Sequence, residues 1–374
     1  MRTHTPRTGA RQARHAGAPR RAAAGLAAAL TLTLAACAAD DADDTADGPD
    51  GDGSGTGGGT LTVVTHDSFA LSQELLDRFE EESGYDVTYA APGDAGTLVN
   101  QLVLTKGSPI GDVVYGIDTT FAGRALAEDV LAEYRPEALD AQAVEQFAAD
   151  DSGRLTPVDY GDVCLNADLA WFEENGQAMP ETLEDLTDPA YRDLLVVSNP
   201  ATSSPGLSFL AATVAEFGED GYLDYWTRLS DNGLLVARDW TEAYSVQFSG
   251  SAGEGPRPLV LSYSTSPAFE VVDGAARTTS LLGTCFRQVE YAGVVAGTQN
   301  EAGARAFVDF LLTPEVQADI PGQMFMYPVR PDVEMPAEWV EFAPLSDDPH
   351  TLAPAEISEG REQWIRDWTD TVLG

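Results

Sequence analysis

From Thr60 onward the apolar positions switch between two periods. Leu61 to Val64 is a short unbroken apolar run, and Leu71, Leu75, Leu76 and Phe79 then recur on one helical face. Tyr85 to Tyr89 alternates like a half-buried strand, Leu98 to Leu104 returns to the helical period, and Asp112 to Ile117 reads as another buried strand. This βαβαβ order predicts an α/β fold with a mainly parallel sheet and helices on both faces, since parallel neighbours need crossover helices. Ligands of such sheets sit beyond the carboxyl ends of the strands. The rule places His66-Asp67-Ser68-Phe69 and Asp118-Thr119-Thr120 on one rim.

A second α/β unit begins near Gly161. Val196-Val197 runs into Ser198-Asn199-Pro200, and Thr202-Ser203-Ser204-Pro205-Gly206 opens a stretch from Leu207 to Phe217 with helical apolar spacing. A hydroxyl at the cap and proline in the first turn are helix-start signals. Free amides beside hydroxyls can seat a phosphate or an alcohol, although such hydroxyls more often serve only their own helix. Further on, Leu259 to Phe269 is a buried strand that stops in a Pro-containing loop rich in hydroxyls and aromatics. Loops after strands collect binding groups, whereas a single aromatic such as Trp240, Tyr263 or Phe269 is more often core.

The first 36 residues have a different pattern. A basic start with arginines and no acid precedes an Ala/Leu stretch from Ala22 to Ala36, too short to span a bilayer as a stable helix, and describes an export signal. The run Leu34-Ala35-Ala36-Cys37 matches a lipobox, so cleavage would leave Cys37 as the acylated first residue; the plainer alternative is a cleaved signal with an incidental cysteine. Arg20-Arg21 leaves the export route open. Residues 37–59 hold no large apolar side chain and many aspartates, the composition of a flexible, self-repelling tether. Gly53-x-Gly55-x-x-Gly58 precedes the first strand instead of following one, so it is not a dinucleotide motif.

Charge and rare residues narrow the function. Net charge is −40 and becomes −46 over the remaining 338 residues once the signal and its six arginines are lost. Phosphate backbones need basic contacts, and Lys106 is the sole lysine, so nucleic acid is not a partner. Two cysteines in an oxidising compartment, Cys164 and Cys285, predict a disulfide, the alternative being two buried thiols. Beyond the signal only His66 and His350 remain as histidines, too few for a zinc site. There is no Gly-x-Ser-x-Gly and no Walker loop, so neither an enzyme nor a cofactor is expected.

Six segments, taken together, carry a family resemblance. Thr65 to Phe69, Gly116-Ile117-Asp118, Thr202 to Leu207, Trp240 to Tyr244, Leu261 to Phe269 and Phe325 to Val329 resemble, in order, the thiamine-binding proteins of bacterial ABC importers. The resemblance spans roughly residue 60 to the C-terminus and implies the two-lobed type II periplasmic binding protein fold. One lobe would be 60–160 plus 288–374 and the other 161–287, joined by a hinge. It implies thiamine or a thiamine phosphate as ligand, with Trp240, Tyr263, Phe269 and Phe325 walling the rings. Asp118 would accept from the aminopyrimidine or balance the cation. Ser203 and Ser204 would take the hydroxyl or phosphate end, and His66 and Ser68 would line the rim.

Three positions depart from the family: His66 and Phe269 stand where Tyr is usual, and Phe325 where Trp is usual. Flat rings remain, but hydrogen bonds from the hydroxyls and the indole are lost. The resemblance further implies a permease partner with a separate ATPase, a monomer, and an anchored position on the outer face of the cytoplasmic membrane. Ferric iron or a polyamine is the alternative ligand, although iron would want a Tyr pair that the sequence lacks. An exported hydrolase is a third reading, short of a nucleophile and base.

Overall fold

The computed structural model describes residues 58–139, 141–251 and 255–374. The export signal, Cys37, the acidic tether as far as residue 57 and most of its glycine motif lie outside them. The first half runs β1 (Gly59–His66), α1 (Gln73–Ser83), β2 (Tyr85–Gly93), α2 (Ala95–Leu104), β3 (Val113–Asp118), α3 (Thr119–Ala127), β4 (Leu131–Ala132), α4 (Ala141–Phe147), β5 (Thr156–Asp168) and α5 (Leu169–Asn175). There follow β6 (Leu195–Ser198), α6 (Ser204–Asp231), β7 (Leu235–Ala237), α7 (Trp240–Glu242), β8 (Leu259–Tyr263), β9 (Val271–Val272), β10 (Ala275–Ala276) and β11 (Thr278–Val295). The chain ends with α8 (Glu301–Leu311), α9 (Pro314–Gln323), β12 (Tyr327–Pro328), α10 (Ala337–Phe342) and α11 (Pro354–Val372). None of the described helices is long and apolar enough to cross a membrane.

One sheet runs in the order β2-β1-β3-β11-β5-β8-β6-β7. Its two ends are parallel, as β1 pairs with β2 and β3, and β6 pairs with β7 and β8. The middle is antiparallel, because β11 pairs with β3 and β5, and β5 pairs with β8. Helical crossovers build the parallel ends, while the long strands β5 and β11 turn the chain back between them. β3 attaches to β11 at Glu290 to Val294, whereas β8 attaches to β5 at Val163 to Ala167, so each end group hangs from a different stretch of the β5–β11 ladder. The boundaries expected at 160/161 and 287/288 fall inside these two strands.

Cys164 of β5 and Cys285 of β11 are joined by a disulfide. It lies where the ladder breaks register between Leu281 and Phe286, a stretch with few backbone bonds of its own. The apolar core continues across the sheet: α11 packs on α3 and α6, and Trp368 meets Trp226 edge-on at 5.5 Å. On the other face Phe307 of α8 and Phe79 of α1 meet at 5.3 Å. α6 bends at Gly218, whose φ of 70° interrupts the helix.

Candidate functional site

Between the two end groups of the sheet lies a cleft of about 390 Å³. One side comes from the turns after β1 and β2 and from Glu290 of β11; the other comes from Pro205 of α6, from α7 and its continuation, and from the loop after β8. Phe325 and its neighbours after α9 close the mouth. Six of the residues expected from the sequence line it: His66, Ser68, Trp240, Tyr263, Phe269 and Phe325.

The aromatic wall is built from short, hydroxyl-braced elements. Asp239 caps α7 by accepting from Glu242 N at 2.8 Å, and α7 runs into a π-helical turn over Ala243–Gln247. π-turns occur often at functional sites because they re-aim a side chain out of helical register. Here the turn brings Tyr244 parallel to Trp240, with centroids 5.2 Å apart and 16° between planes. Trp240 Nε1 donates to Ser262 Oγ at 2.9 Å, and Ser262 meets Ser266 at 2.8 Å, so the indole is fixed from behind. Tyr263 stands edge-on to Trp240 at 6.5 Å. Opposite, Phe325 contacts Phe269 and is one of four non-glycine residues with positive φ among the described residues, at 58°. Thr265 Oγ1 donates to its carbonyl and holds that conformation. An aromatic residue in the left-handed region is costly, and such strain gathers at ligand clamps.

The floor is acidic. His66 ends β1 with Nε2 3.5 Å from Glu290 Oε2, and its Nδ1 accepts from Ser68 N at 3.2 Å. Glu290 is 5 % exposed and also receives the Tyr115 hydroxyl at 2.7 Å. That hydroxyl is closer still to Asp159, at 2.5 Å, and Asp159 is fully buried. A phenol has one proton, so it cannot donate to both carboxylates. Burial, reinforced by Glu290, pushes Asp159 well above the ordinary carboxylate range. Burial acts the same way on Glu290, but the charge and hydrogen bond of His66 outweigh it and hold Glu290 below its ordinary value. The cleft therefore presents Glu290 as the ionised member. Burial also disfavours charge on His66, yet Glu290, Asp94 and Asp67 more than compensate, and its pKa is raised above 6.5.

Three expected site residues are placed elsewhere. Asp118 is on the carboxyl edge of β3 but is fully buried, capping α3 by accepting from Thr120 N at 3.1 Å and Phe121 N at 2.9 Å. Burial pushes it up to about 6, against the opposing hydrogen bonds from Ser204 and Thr120. Ser203 and Ser204 are buried too. Ser203 donates to Ser198 Oγ at 2.9 Å, and Ser204 Oγ lies beside Asp118 and 3.1 Å from Gln288 Oε1. None of the three lines the cleft: Asp118 and Ser204 join α3, α6 and β11, and Ser203 ties the start of α6 to Ser198 of β6.

Asp94, which the sequence reading passed over, does line it. It caps α2 through Ala95 N at 2.7 Å and reaches Ser204 N of α6 at 3.3 Å. Burial raises its pKa, partly offset by hydrogen bonds from Ser203, Ala95 and Ser204. The same strand-end rule that picked Asp118 also covers Asp94 after β2. Glu290 and Tyr244 were missed as well. An acid inside the apolar run Val289-Glu290-Tyr291 was the available signal for the first, and the pairing with Trp240 at four-residue spacing for the second.

Flat aromatic faces with an ionised carboxylate below suit a planar, delocalised cation. Among the described residues no group of three or more His, Cys, Asp or Glu side chains is arranged to hold a metal.

Known proteins resemble this chain over most of its length. The family model described as bacterial extracellular solute-binding protein matches residues 108–348. The thiamine-binding periplasmic protein of Escherichia coli (strain K12) is 30 % identical over 322 residues, 83 % of this chain and 93 % of that protein. Its counterpart in Brucella suis biovar 1 (strain 1330) is 27 % identical over 319 residues, covering 83 % and 91 %. A solved periplasmic thiamin binding protein superposes with a TM-score of 0.73 at 28 % identity, covering 84 % of this chain and 96 % of its own.

Proposed function

Because the chain belongs to the bacterial extracellular solute-binding proteins, with thiamine-binding periplasmic proteins as its relatives, we propose that its cleft captures thiamine for import. The observation that carries this reading is the pairing of the Trp240–Tyr244 stack with the ionised Glu290 in one cleft. Thiamine joins an aminopyrimidine to a permanently cationic thiazolium. The cation has no N–H to donate at its charged ring, so it is held by ring faces and by a carboxylate. Trp240, Tyr244, Tyr263, Phe269 and Phe325 supply the faces. Glu290 supplies the charge, the role the sequence had given to Asp118, and His66 and Ser68 complete the rim.

Capture works by closure. Residues 60–160 with 288–374 form one lobe and 161–287 the other, hinged through the crossing strands β5 and β11. Each lobe provides part of the ligand's contacts, so ligand favours the closed form over the open one. The closed form then delivers thiamine to a membrane permease, driven by a separate ATPase, and no chemical step takes place on the protein. The exported chain acts as a monomer tethered through acylated Cys37 to the outer face of the cytoplasmic membrane.

Thermal unfolding with thiamine, ferric iron and spermidine tests the ligand. Thiamine at one hundred times its Kd adds about 2.7 kcal/mol of stability. A shift from iron or spermidine with none from thiamine overturns the reading. Membrane retention of wild type and release of Cys37→Ser tests the anchor.

A further inference from the structure

We infer that the face between α6 and α11 carries a second binding site, which takes a short, extended, lysine- or arginine-containing segment of a partner protein. A groove of about 590 Å³ runs there, larger than the cleft, and nothing in it depends on what the cleft binds. On its α6 side the helix is broken at Gly218, where an added Cβ would meet nothing within 4 Å. On its α11 side the indole of Trp364 lies against Gly360, where a Cβ would stand 2.1 Å from Trp364 Cζ2. Glycine at 360 thus lets that indole form part of the floor.

The groove holds donors and charges that the chain itself leaves unanswered. Its floor is Val214, Tyr222, Leu352 and Trp364. Tyr222 is 2 % exposed and Trp364 5 %, yet the phenol hydroxyl and the indole Nε1 both reach the groove, and neither holds a hydrogen bond among the described residues. Burial first, then Asp367 and Glu219, push Tyr222 up to about 12, so its hydroxyl stays a donor. Polar groups on side chains this deeply buried are normally paired. Around the floor stand four carboxylates, from Glu219, Glu356, Glu359 and Asp367, and no lysine or arginine lines the groove. The side chains of Glu219 and Glu359 have no hydrogen bond or ion pair of their own among the described residues.

A basic peptide answers all of these features at once. Its carbonyl oxygens accept from Tyr222 and Trp364, which the ammonium groups of a polyamine cannot do. Lysine and arginine lay apolar stems on a hydrophobic floor and hold their charge out at the rim, where the acids stand. The lining on α11 runs from Glu356 to Asp367, a length of about 16 Å along a helix. An extended chain covers that length in about five residues and turns alternate side chains to floor and rim.

The test uses the full chain and an end-blocked pentapeptide, Lys-Leu-Lys-Leu-Lys, with Glu-Leu-Glu-Leu-Glu and spermidine for comparison. The indole N–H resonance of Trp364, assigned by its loss in Trp364→Phe, should shift saturably with the lysine peptide and stay in place with the glutamate peptide. Calorimetry should give one site, weakened by salt and weakened about three- to tenfold by Glu219→Gln combined with Glu359→Gln, both exposed and with no bond to lose. An unmoved Trp364 resonance overturns the site. So does a double variant that binds as well as wild type, since the peptide would then be held by net charge alone. Spermidine that moves the same resonance as far as the peptide does overturns the peptide reading and makes the groove a small-cation site.

Discussion

Tyr115 donates its hydroxyl to Glu290 at 2.7 Å from beneath the cleft while touching Asp159 with the same oxygen. The two buried carboxylates are driven apart, Asp159 pushed well up by burial and Glu290 held down chiefly by the charge of His66. Tyr115 itself is neutral and cancels none of the Glu290 charge from below. His66 at 3.5 Å is the partner whose charge state can change, and a cationic ligand can replace it.

Glu290→Gln keeps the shape and removes the charge. Hydrogen bonds and contacts to a charged group contribute about 1.5–3 kcal/mol, so thiamine affinity should fall roughly 10- to 100-fold in a titration. The same change at Asp118, buried as the cap of α3, should act mainly on melting temperature. A Glu290→Gln protein that binds as well as wild type would show that the cation sits elsewhere.

Trp240→Ala removes one face of the stack and uncovers Tyr244. A desolvated cation–π contact is worth about 2 kcal/mol, equivalent to roughly thirtyfold in Kd. Tyr244→Leu should cost less, because Tyr244 backs the indole and its hydroxyl is spent on Glu270 at 3.0 Å. Calorimetry on both variants measures the order, and an unchanged Kd for the alanine variant would mean the ring serves only the fold.

The sequence announced the strand–helix alternation of the parallel ends, since crossover helices and buried strands differ in period. It did not announce that the middle of the sheet is antiparallel, because β5 and β11 are buried on both faces along most of their length and lack the alternation that marks direction or face. The aromatic wall was readable for a similar local reason: Tyr263 ends β8, and Trp240 and Phe269 lie in the segments that follow β7 and β8. The acid was not. Asp118 and Asp94 both follow strands and both cap helices, and only the rotation of each helix start decides which carboxylate faces the cleft. Glu290 sits in mid-strand, so its exposure depends on which strands flank β11.

Binding should weaken in acid. The pKa of His66 in the free protein is raised above 6.5 by Glu290, Asp94 and Asp67, and a nearby cation lowers it, so thiamine binding expels a proton from His66. Affinity is then highest above the free-state pKa and falls by up to about tenfold per pH unit as pH drops below it. Asp94, whose pKa is also raised, adds to the fall as it takes up a proton. Titrations in buffers of different ionisation heat count the proton released. A Kd that does not change between about pH 5.5 and 8 contradicts the linkage.

The disulfide closes a loop across a separation of 121 residues and staples the irregular part of the β5–β11 ladder. Cys164→Ala with Cys285→Ala should cost about 2–4 kcal/mol, seen as a lower melting temperature that reductant does not lower further. Wild type should drop toward the double variant when dithiothreitol is added. Identical melting curves for the two proteins would show that the ladder holds without it.

Gly116 links the fold to the His66 charge. The β3–β11 ladder skips it between Ile117 and Tyr115, its φ is 97°, and a Cβ would stand 2.2 Å from His66 Cδ2. Alanine there meets two penalties, a strained backbone worth about 1–3 kcal/mol and a ring that must move. The ring can move only away from β3, which changes its approach to Glu290 and loosens the charge pairing that raises its pKa. Gly116→Ala should therefore be less stable and should also shift the His66 titration, followed by NMR, down toward an ordinary histidine. It should flatten the pH dependence of thiamine binding in step. A variant that loses stability but keeps the wild-type His66 titration would show that the ring position does not depend on this glycine.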